Sequence, residues 1–116
     1  MSLIGENLIR LVRETAAARP DFVNNQNGGL CKYVVDGEPS CLIGQALWKA
    51  DLIGPTFERN ERNSVAFGHI SVHLGLALDQ AEINWLRQVQ YLQDSGIAWG
   101  VAVSGADKRW PISATE

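Results

Sequence analysis

The fold is decided first by residues 79–96, whose sequence is DQAEINWLRQVQYLQDSG. Asp79, followed three residues later by Glu82, matches the capping box that opens an α-helix, and Gly96 is a natural helix end. Between them, apolar residues recur at helical steps of three and four: Ile83, Trp85, Leu86, Val89 and Leu92. The stretch therefore predicts an amphipathic helix from residue 79 to about residue 93. Its opposite face carries polar side chains: Asn84, Arg87, Gln88 and Asp94.

Helical patterns also extend over the segments on both sides. Residues 3–18 carry an apolar stripe and a run of alanines, and a proline soon after them ends that helix. A second helix is expected from about residue 41 to residue 50 with Ser40 as its N-cap, and a third from residue 63 or 64 to about residue 74. Residues 97–104 fit either a strand or a short helix, and we favour the helix because its neighbours are helical.

One small β-hairpin is predicted near residues 30–41. Residues 30–35 are rich in β-forming side chains, and Asp36-Gly37 is a strong turn signal. The second strand is expected to be short, because Pro39 lacks a backbone N–H donor. The sequence thus predicts a mainly α fold with a minor β part, in which four to five short helices accompany one small hairpin.

Composition places the chain among globular proteins and limits its partners. The 116 residues are 46% hydrophobic and 20% charged, with a net charge of −3, which excludes general disorder and a diffuse basic surface for nucleic acid. We expect one globular domain over residues 1–106 and a C-terminal tail over residues 107–116. Apolar runs are far shorter than the roughly 18 residues of a membrane-spanning helix, and no export signal is recognisable. We therefore expect a cytoplasmic protein without a membrane partner.

A set of short motifs spread over residues 31–103 carries a resemblance to a group of known proteins. The motifs are CKY at 31–33, GEPSCLIGQAL at 37–47, WL at 85–86, Gln90, QDSG at 93–96 and WG at 99–100. In these motifs the chain resembles small uncharacterised proteins of actinobacteria and their bacteriophages. The resemblance implies a cytoplasmic protein of a bacterial or phage genome with no assigned reaction. Many small phage proteins of this kind act by binding a host protein.

Two cysteines and two histidines form the candidate metal site of the sequence. His69 and His73 stand at i and i+4, which places both imidazoles on one face of a helix, and Cys31 and Cys41 flank the predicted hairpin turn. The nine residues between the cysteines differ from the usual zinc spacing. A redox pair of the two cysteines and a cysteine–histidine dyad are alternatives. We expect buried apolar thiols and surface histidines instead, with no metal, no cofactor and no catalytic residue.

Two further candidates concern macromolecular partners. In the capped helix, Gln88, Gln90 and Gln93 could read adenine edges in DNA. Arg87 alone supplies positive charge there, so we do not expect a nucleic-acid partner. Trp110 lies in the expected tail and is a candidate anchor for a protein partner, because tryptophan is enriched at interface hot spots. The alternative is a tail that folds back onto its own domain.

Protein binding is the function that these observations predict. We expect a non-enzymatic protein-binding module that modulates a bacterial host protein, as the resemblance implies, or that self-associates. A metal- or redox-dependent module that uses Cys31, Cys41, His69 and His73 is the first alternative, and a DNA-binding regulator is the second.

Overall fold

Five α-helices make up most of residues 2–24 and 32–112, which are the residues that the computed structural model describes. In chain order the elements are α1 (Leu3–Ala18), β1 (Val34–Val35), β2 (Glu38–Pro39), α2 (Leu42–Lys49), α3 (Phe67–His73), α4 (Gln80–Asp94) and α5 (Trp99–Arg109), with 3-10 turns at Pro55–Arg59 and Glu61–Ser64. The predicted mainly helical fold with one small antiparallel hairpin is confirmed. None of the described helices is long and apolar enough to cross a membrane.

Helix α4 is the element around which the other helices pack. It lies against α5, α3, α2 and α1, and its apolar stripe is fully buried at Trp85 and Val89. Gly96 has a φ of 85° and ends the α4 region in the left-handed conformation. Helix α5 then folds back along α4, with Gly105 beside Leu92. Full burial of a large apolar side chain contributes about 2 kcal/mol, so packing of this stripe outweighs the intrinsic helix preference of α4.

The buried carboxylate of Glu82 joins the starts of α1 and α4. It accepts hydrogen bonds from the Asp79 backbone N–H at 2.9 Å, which completes the predicted capping box, and from the N–H and O–H of Ser2 at 2.9 and 2.8 Å. Ser2 is itself the N-cap of α1 and accepts from the Gly5 N–H. Position 5 requires glycine, because a Cβ there would clash with the Glu82 carboxyl group. One carboxylate therefore stabilises two helix starts, where backbone amides lack intrahelical partners.

Two glutamines of α4 bind the starts of α2 and α3 in a similar way. The side-chain oxygen of Gln93 accepts from the Leu42 N–H at 2.9 Å, and that of Gln90 accepts from the Phe67 N–H at 2.7 Å. Each donor is the first residue of its helix. Both glutamines are buried, so these bonds are shielded from competing water. They hold the first residue of α2 and the first residue of α3 against α4.

Several predicted boundaries are confirmed. Helix α1 begins and ends where its periodicity predicts. In the ambiguous segment 97–104, residues 99–104 are helical and form the first part of α5. Asp36 and Gly37 have φ values of 55° and 76°, the pair of positive angles that a tight two-residue hairpin turn requires. These features are local, so sequence patterns determine them well.

The N-cap of α2 differs from the prediction. Cys41, rather than Ser40, precedes the helix, and its sulfur accepts a hydrogen bond from the Gly44 N–H at 3.4 Å. Cys41 is fully buried. Ser40 instead donates its backbone N–H to the carbonyl of Tyr33, which keeps Ser40 in the hairpin and moves the helix start one residue later.

Helix α3 begins at Phe67, later than predicted. The side chain of Asn63 accepts from the Val34 N–H and donates to the Val34 carbonyl, both at 2.9 Å. The Asn63 carbonyl also accepts from the Tyr33 N–H. These bonds hold residues 60–66 beside β1 in 3-10 and extended conformations, so the helix starts only after them.

Helix α5 continues to Arg109, so residues 107–109 are helical and do not belong to the C-terminal tail that the sequence predicts from residue 107. Asp107 is bound within the fold: it accepts two hydrogen bonds from Arg13, at 2.8 and 2.9 Å, and one from the Trp85 indole N–H at 2.9 Å. The bonds from Arg13 and, to a smaller extent, from Trp85 hold the pKa of Asp107 below its ordinary value, against the opposing effect of desolvation. The last turn of α5 is thereby fixed to α1 and α4.

Candidate functional site

The outward face of α4 and the residue after α5 form a groove. Asn84, Arg87, Gln88 and Tyr91 lie at i, i+3, i+4 and i+7, and so share one face of α4. Together with Trp110 they line a groove of about 290 Å³, which we call the Trp110 groove. This face of α4 points outward because the opposite face is buried against the other helices.

Trp110 is held in a defined position at one side of this groove. It is the C-cap residue of α5, and its backbone N–H donates to the Ala106 carbonyl at 2.8 Å. Its ring is half-buried and packs against the hydrophobic core. The guanidinium of Arg109 lies 4.3 Å from the ring centroid, a cation–π arrangement. Trp110 thus folds back onto the core and also lines a surface groove, and its role as an anchor for a partner stays a prediction.

Most polar groups of the Trp110 groove are unused by the fold. The Arg87 guanidinium, the Trp110 indole N–H and the Tyr91 hydroxyl make no hydrogen bond or ion pair with the residues that the structure describes. Tyr91 is also 65% exposed. The side-chain oxygen of Asn84 accepts from Gln80 at 2.9 Å, which leaves the NH₂ group of Asn84 available. The groove can therefore bind a polar group without breaking an internal bond.

A second, more open depression lies beside the start of α3. It encloses about 600 Å³ and is lined by Glu61, Arg62, Ser64, Val65, Ala66 and His69. Its carboxylate and its guanidinium carry opposite charges, and no tryptophan or tyrosine among the described residues lines it. The Trp110 groove differs from it by combining aromatic rings with a guanidinium.

The described candidates for metal binding do not form a metal site. Cys41 is buried as the cap of α2, whereas His69 and His73 are exposed on α3. Within residues 2–24 and 32–112, no three or more His, Cys, Asp or Glu side chains are grouped so as to hold a metal ion. Cys31 lies outside the described residues. The redox pair of Cys31 with Cys41 stays a prediction.

Two of the glutamines considered for DNA reading serve the fold instead. Gln90 and Gln93 are buried and accept from the first residues of α3 and α2, so neither can reach a base edge. Gln88 is half-buried in the Trp110 groove. Gln90 and Gln93 are therefore unavailable for the adenine contacts considered for them. A single sequence does not distinguish a buried capping amide from an exposed one.

Tyr91 is the groove residue that sequence reasoning missed. The available signal was an aromatic residue four positions after Arg87, on the polar face of an otherwise clear amphipathic helix. Such a residue does not pack in the core, and Tyr91 is 65% exposed.

No protein-family model matches this chain, and neither does any curated protein or solved structure. The function of the Trp110 groove therefore has to be argued from its own residues.

Proposed function

We propose that this chain is a non-enzymatic protein-binding module that contacts its partner through the Trp110 groove. One observation carries the proposal: Trp110, Tyr91 and Arg87 converge on one surface groove, and these three residue types dominate protein-interface hot spots. The partner that we propose is a bacterial host protein in the cytoplasm, following the resemblance to small phage proteins. A second copy of this chain is the alternative partner.

The contacts that hold α4 and Trp110 in place favour this function. Helix α4 is bonded to the starts of three other helices, and Trp110 is fixed by its burial and by its bond to Ala106. A surface that is already ordered loses less conformational entropy on binding, so more of the contact energy appears as affinity.

The size of the groove also favours a protein partner over a metabolite. Its volume of about 290 Å³ lies just below the roughly 300–1,000 Å³ of small-molecule pockets. A space of this size accommodates a few side chains of a partner protein. The exposed ring of Tyr91 beside it extends the contact area beyond the groove itself.

Capture from a bacterial lysate tests the proposal. The tagged full chain is immobilised beside its Trp110→Ala and Val101→Ser variants, and bound proteins are quantified by mass spectrometry. Val101 is also an apolar surface residue of α5, 59% exposed, and lies about 13 Å from Trp110 along the helix. It is therefore a matched control for loss of apolar surface outside the groove. Thermal unfolding of each variant verifies that it is folded.

We expect at least one protein to bind the wild type and Val101→Ser and to be lost from Trp110→Ala. Truncating a hot-spot tryptophan costs about 2 kcal/mol, or about 30-fold in affinity. Equal capture by all three proteins would contradict the proposal. Analytical ultracentrifugation of the wild type and Trp110→Ala measures the alternative, because a dimer formed through the groove would dissociate in that variant.

A further inference from the structure

We infer that the partner segment that binds in the Trp110 groove is acidic, with the carboxylate of an Asp or Glu placed next to an apolar residue. This inference rests on the proposed function and adds the chemistry of the partner. Three properties of the groove carry it: the balance of hydrogen-bond donors and acceptors, the charge of the lining side chains, and the two aromatic rings.

The groove offers many donors and few acceptors. A guanidinium has five N–H donors and an indole has one, and neither has an acceptor; those of Arg87 and Trp110 bond to no described residue. The carbonyl oxygen of Asn84 is already occupied by Gln80, so its NH₂ group adds further donors. A partner that also presented donors would leave polar groups unsatisfied in the contact. A carboxylate presents two acceptor oxygens and no donor, and so complements this surface.

The groove is also locally positive on a chain whose net charge is −3. Arg87 lines it, no acidic residue among residues 2–24 and 32–112 does, and Arg109 stacks on the Trp110 ring. Arg13, by contrast, already pairs with Asp107 inside the fold. Because Arg87 and Arg109 have no acidic partner among the described residues, a carboxylate from outside gains charge-assisted bonds without displacing an internal one.

The aromatic rings specify the neighbour of that carboxylate. Tyr91 and the exposed part of Trp110 provide apolar area beside the guanidinium, so the occupant needs an apolar side chain adjacent to its charge. A nucleic acid fits less well, because polyanion binding draws its affinity from many phosphate contacts. In the part of the chain that the structure describes, one cation lines this groove and one more stacks on its tryptophan.

Selection from a random peptide display library, with the full chain as bait, tests the inference. Retained peptides are sequenced, synthesised with a fluorescein label and titrated by fluorescence anisotropy against the wild type, Arg87→Gln and Trp110→Ala. Arg10→Gln is the matched control, because it removes the same charge from an exposed arginine of α1 that does not line the groove. Each peptide is also made with its Asp and Glu replaced by Asn and Gln.

We expect the retained peptides to be enriched in Asp and Glu over the unselected library. Their affinity should fall about tenfold with Arg87→Gln, fall similarly in the neutralised peptides, and stay unchanged with Arg10→Gln. The inference would be overturned if the peptides lost affinity with Trp110→Ala but were not acidic, or if their affinity did not change with Arg87→Gln. Either result would leave the proposed function standing. A selection that yields no peptide dependent on Trp110 would contradict the proposed function itself. If a fluorescein-labelled single-stranded oligonucleotide bound more tightly than the retained peptides, and if its binding depended on Arg87, both the inference and the proposed function would be overturned.

Discussion

We expect Glu82→Gln to destabilise the fold far more than an exposed glutamate substitution in the same region. The Glu82 carboxylate is 0% exposed and accepts three hydrogen bonds, two from Ser2 and one from Asp79. Glutamine keeps one acceptor oxygen, which can serve the Ser2 hydroxyl and the Asp79 N–H. Its NH₂ group then faces the Ser2 N–H. Two hydrogen-bond donors would oppose each other there, whereas in the wild type the Ser2 N–H donates to a carboxylate oxygen.

The size of this effect follows from those bonds. Losing one charged hydrogen bond and leaving an N–H unsatisfied costs about 2 kcal/mol. Removing the negative charge from the N-termini of α1 and α4 costs about 1 kcal/mol more. These losses are offset by about 1 kcal/mol of the free energy of unfolding, because a neutral amide is less costly to bury than a carboxylate. The net loss is about 2 kcal/mol, which corresponds to a decrease of about 8 °C in Tm for a domain of this size.

Urea unfolding and differential scanning calorimetry measure this loss. Glu6→Gln is the control, because Glu6 lies in the first turn of α1 and is exposed. It loses the same charge near the same helix start without losing a buried bond, and should cost about 0.5 kcal/mol. If Glu82→Gln and Glu6→Gln destabilise the protein equally, the carboxylate does not join the two helices as the structure indicates, and the reasoning is refuted.

Two further substitutions test other contacts. Gly44→Ala should destabilise the fold by about 2 kcal/mol, measured by urea unfolding, because a Cβ at Gly44 would clash with the Tyr33 carbonyl and lie 2.9 Å from the Tyr33 Cα. Glu58→Gln should destabilise the fold in a pH-dependent way, because hydrogen bonds from the Asp36 and Gly37 N–H groups hold the pKa of Glu58 below its ordinary value of 4.5. A lowered folded-state pKa contributes stability above pH 4.5 that is lost as the pH falls through the folded-state pKa. The wild type and Glu58→Gln should therefore converge in Tm as the solution is acidified.

Matched controls exist for both substitutions. A Cβ added at Gly54 would have no atom within 4 Å, and Gly54 has a negative φ of −142°. Gly54→Ala should therefore reduce the free energy of unfolding only slightly. If Gly44→Ala reduced it equally little, the close approach of Gly44 to the Tyr33 backbone would be contradicted. Glu61 is an exposed glutamate of the neighbouring 3-10 turn. A pH profile of Glu61→Gln that matches that of Glu58→Gln would show that the hairpin turn does not bind the Glu58 carboxylate.

Helices α1 and α4 could be predicted closely, because their signals are local. An apolar stripe at steps of three and four identifies the buried face, and Asp79 with Glu82 identifies the start of α4. The hairpin turn is equally local, since Asp36 and Gly37 adopt positive φ angles. Each of these features depends on residues within a few positions of one another.

The start of α5 was ambiguous in the sequence for a physical reason. Its first amides, on Trp99 and Gly100, donate to the carbonyls of Phe22 and Pro20, both at 2.9 Å. These acceptors belong to the segment after α1, far away in the chain. No local cap therefore marks the helix start, and alternating apolar residues alone cannot separate a strand from a helix.

The candidate site was predictable in its parts and not in its assembly. Periodicity placed Asn84, Arg87 and Gln88 on the outward face of α4, and composition drew attention to Trp110. Their meeting in one groove depends on α5 folding back along α4, with Asp107 bonded to Arg13 and Trp85. The sequence contains no short-range signal of that contact.

The sequence by itself determined that α1 and α4 are helical, which of their faces are apolar and that a tight turn joins two short strands, because these properties follow from side-chain spacing and backbone preference within a few residues. Only the tertiary structure decided which polar side chains are buried caps and which remain at the surface. Gln90 binds the start of α3, whereas Gln88, two residues earlier, lines the Trp110 groove. The two side chains have the same chemistry and differ only in the face of α4 on which they lie, and the packing of the other helices against that face decides which amide is available to a partner.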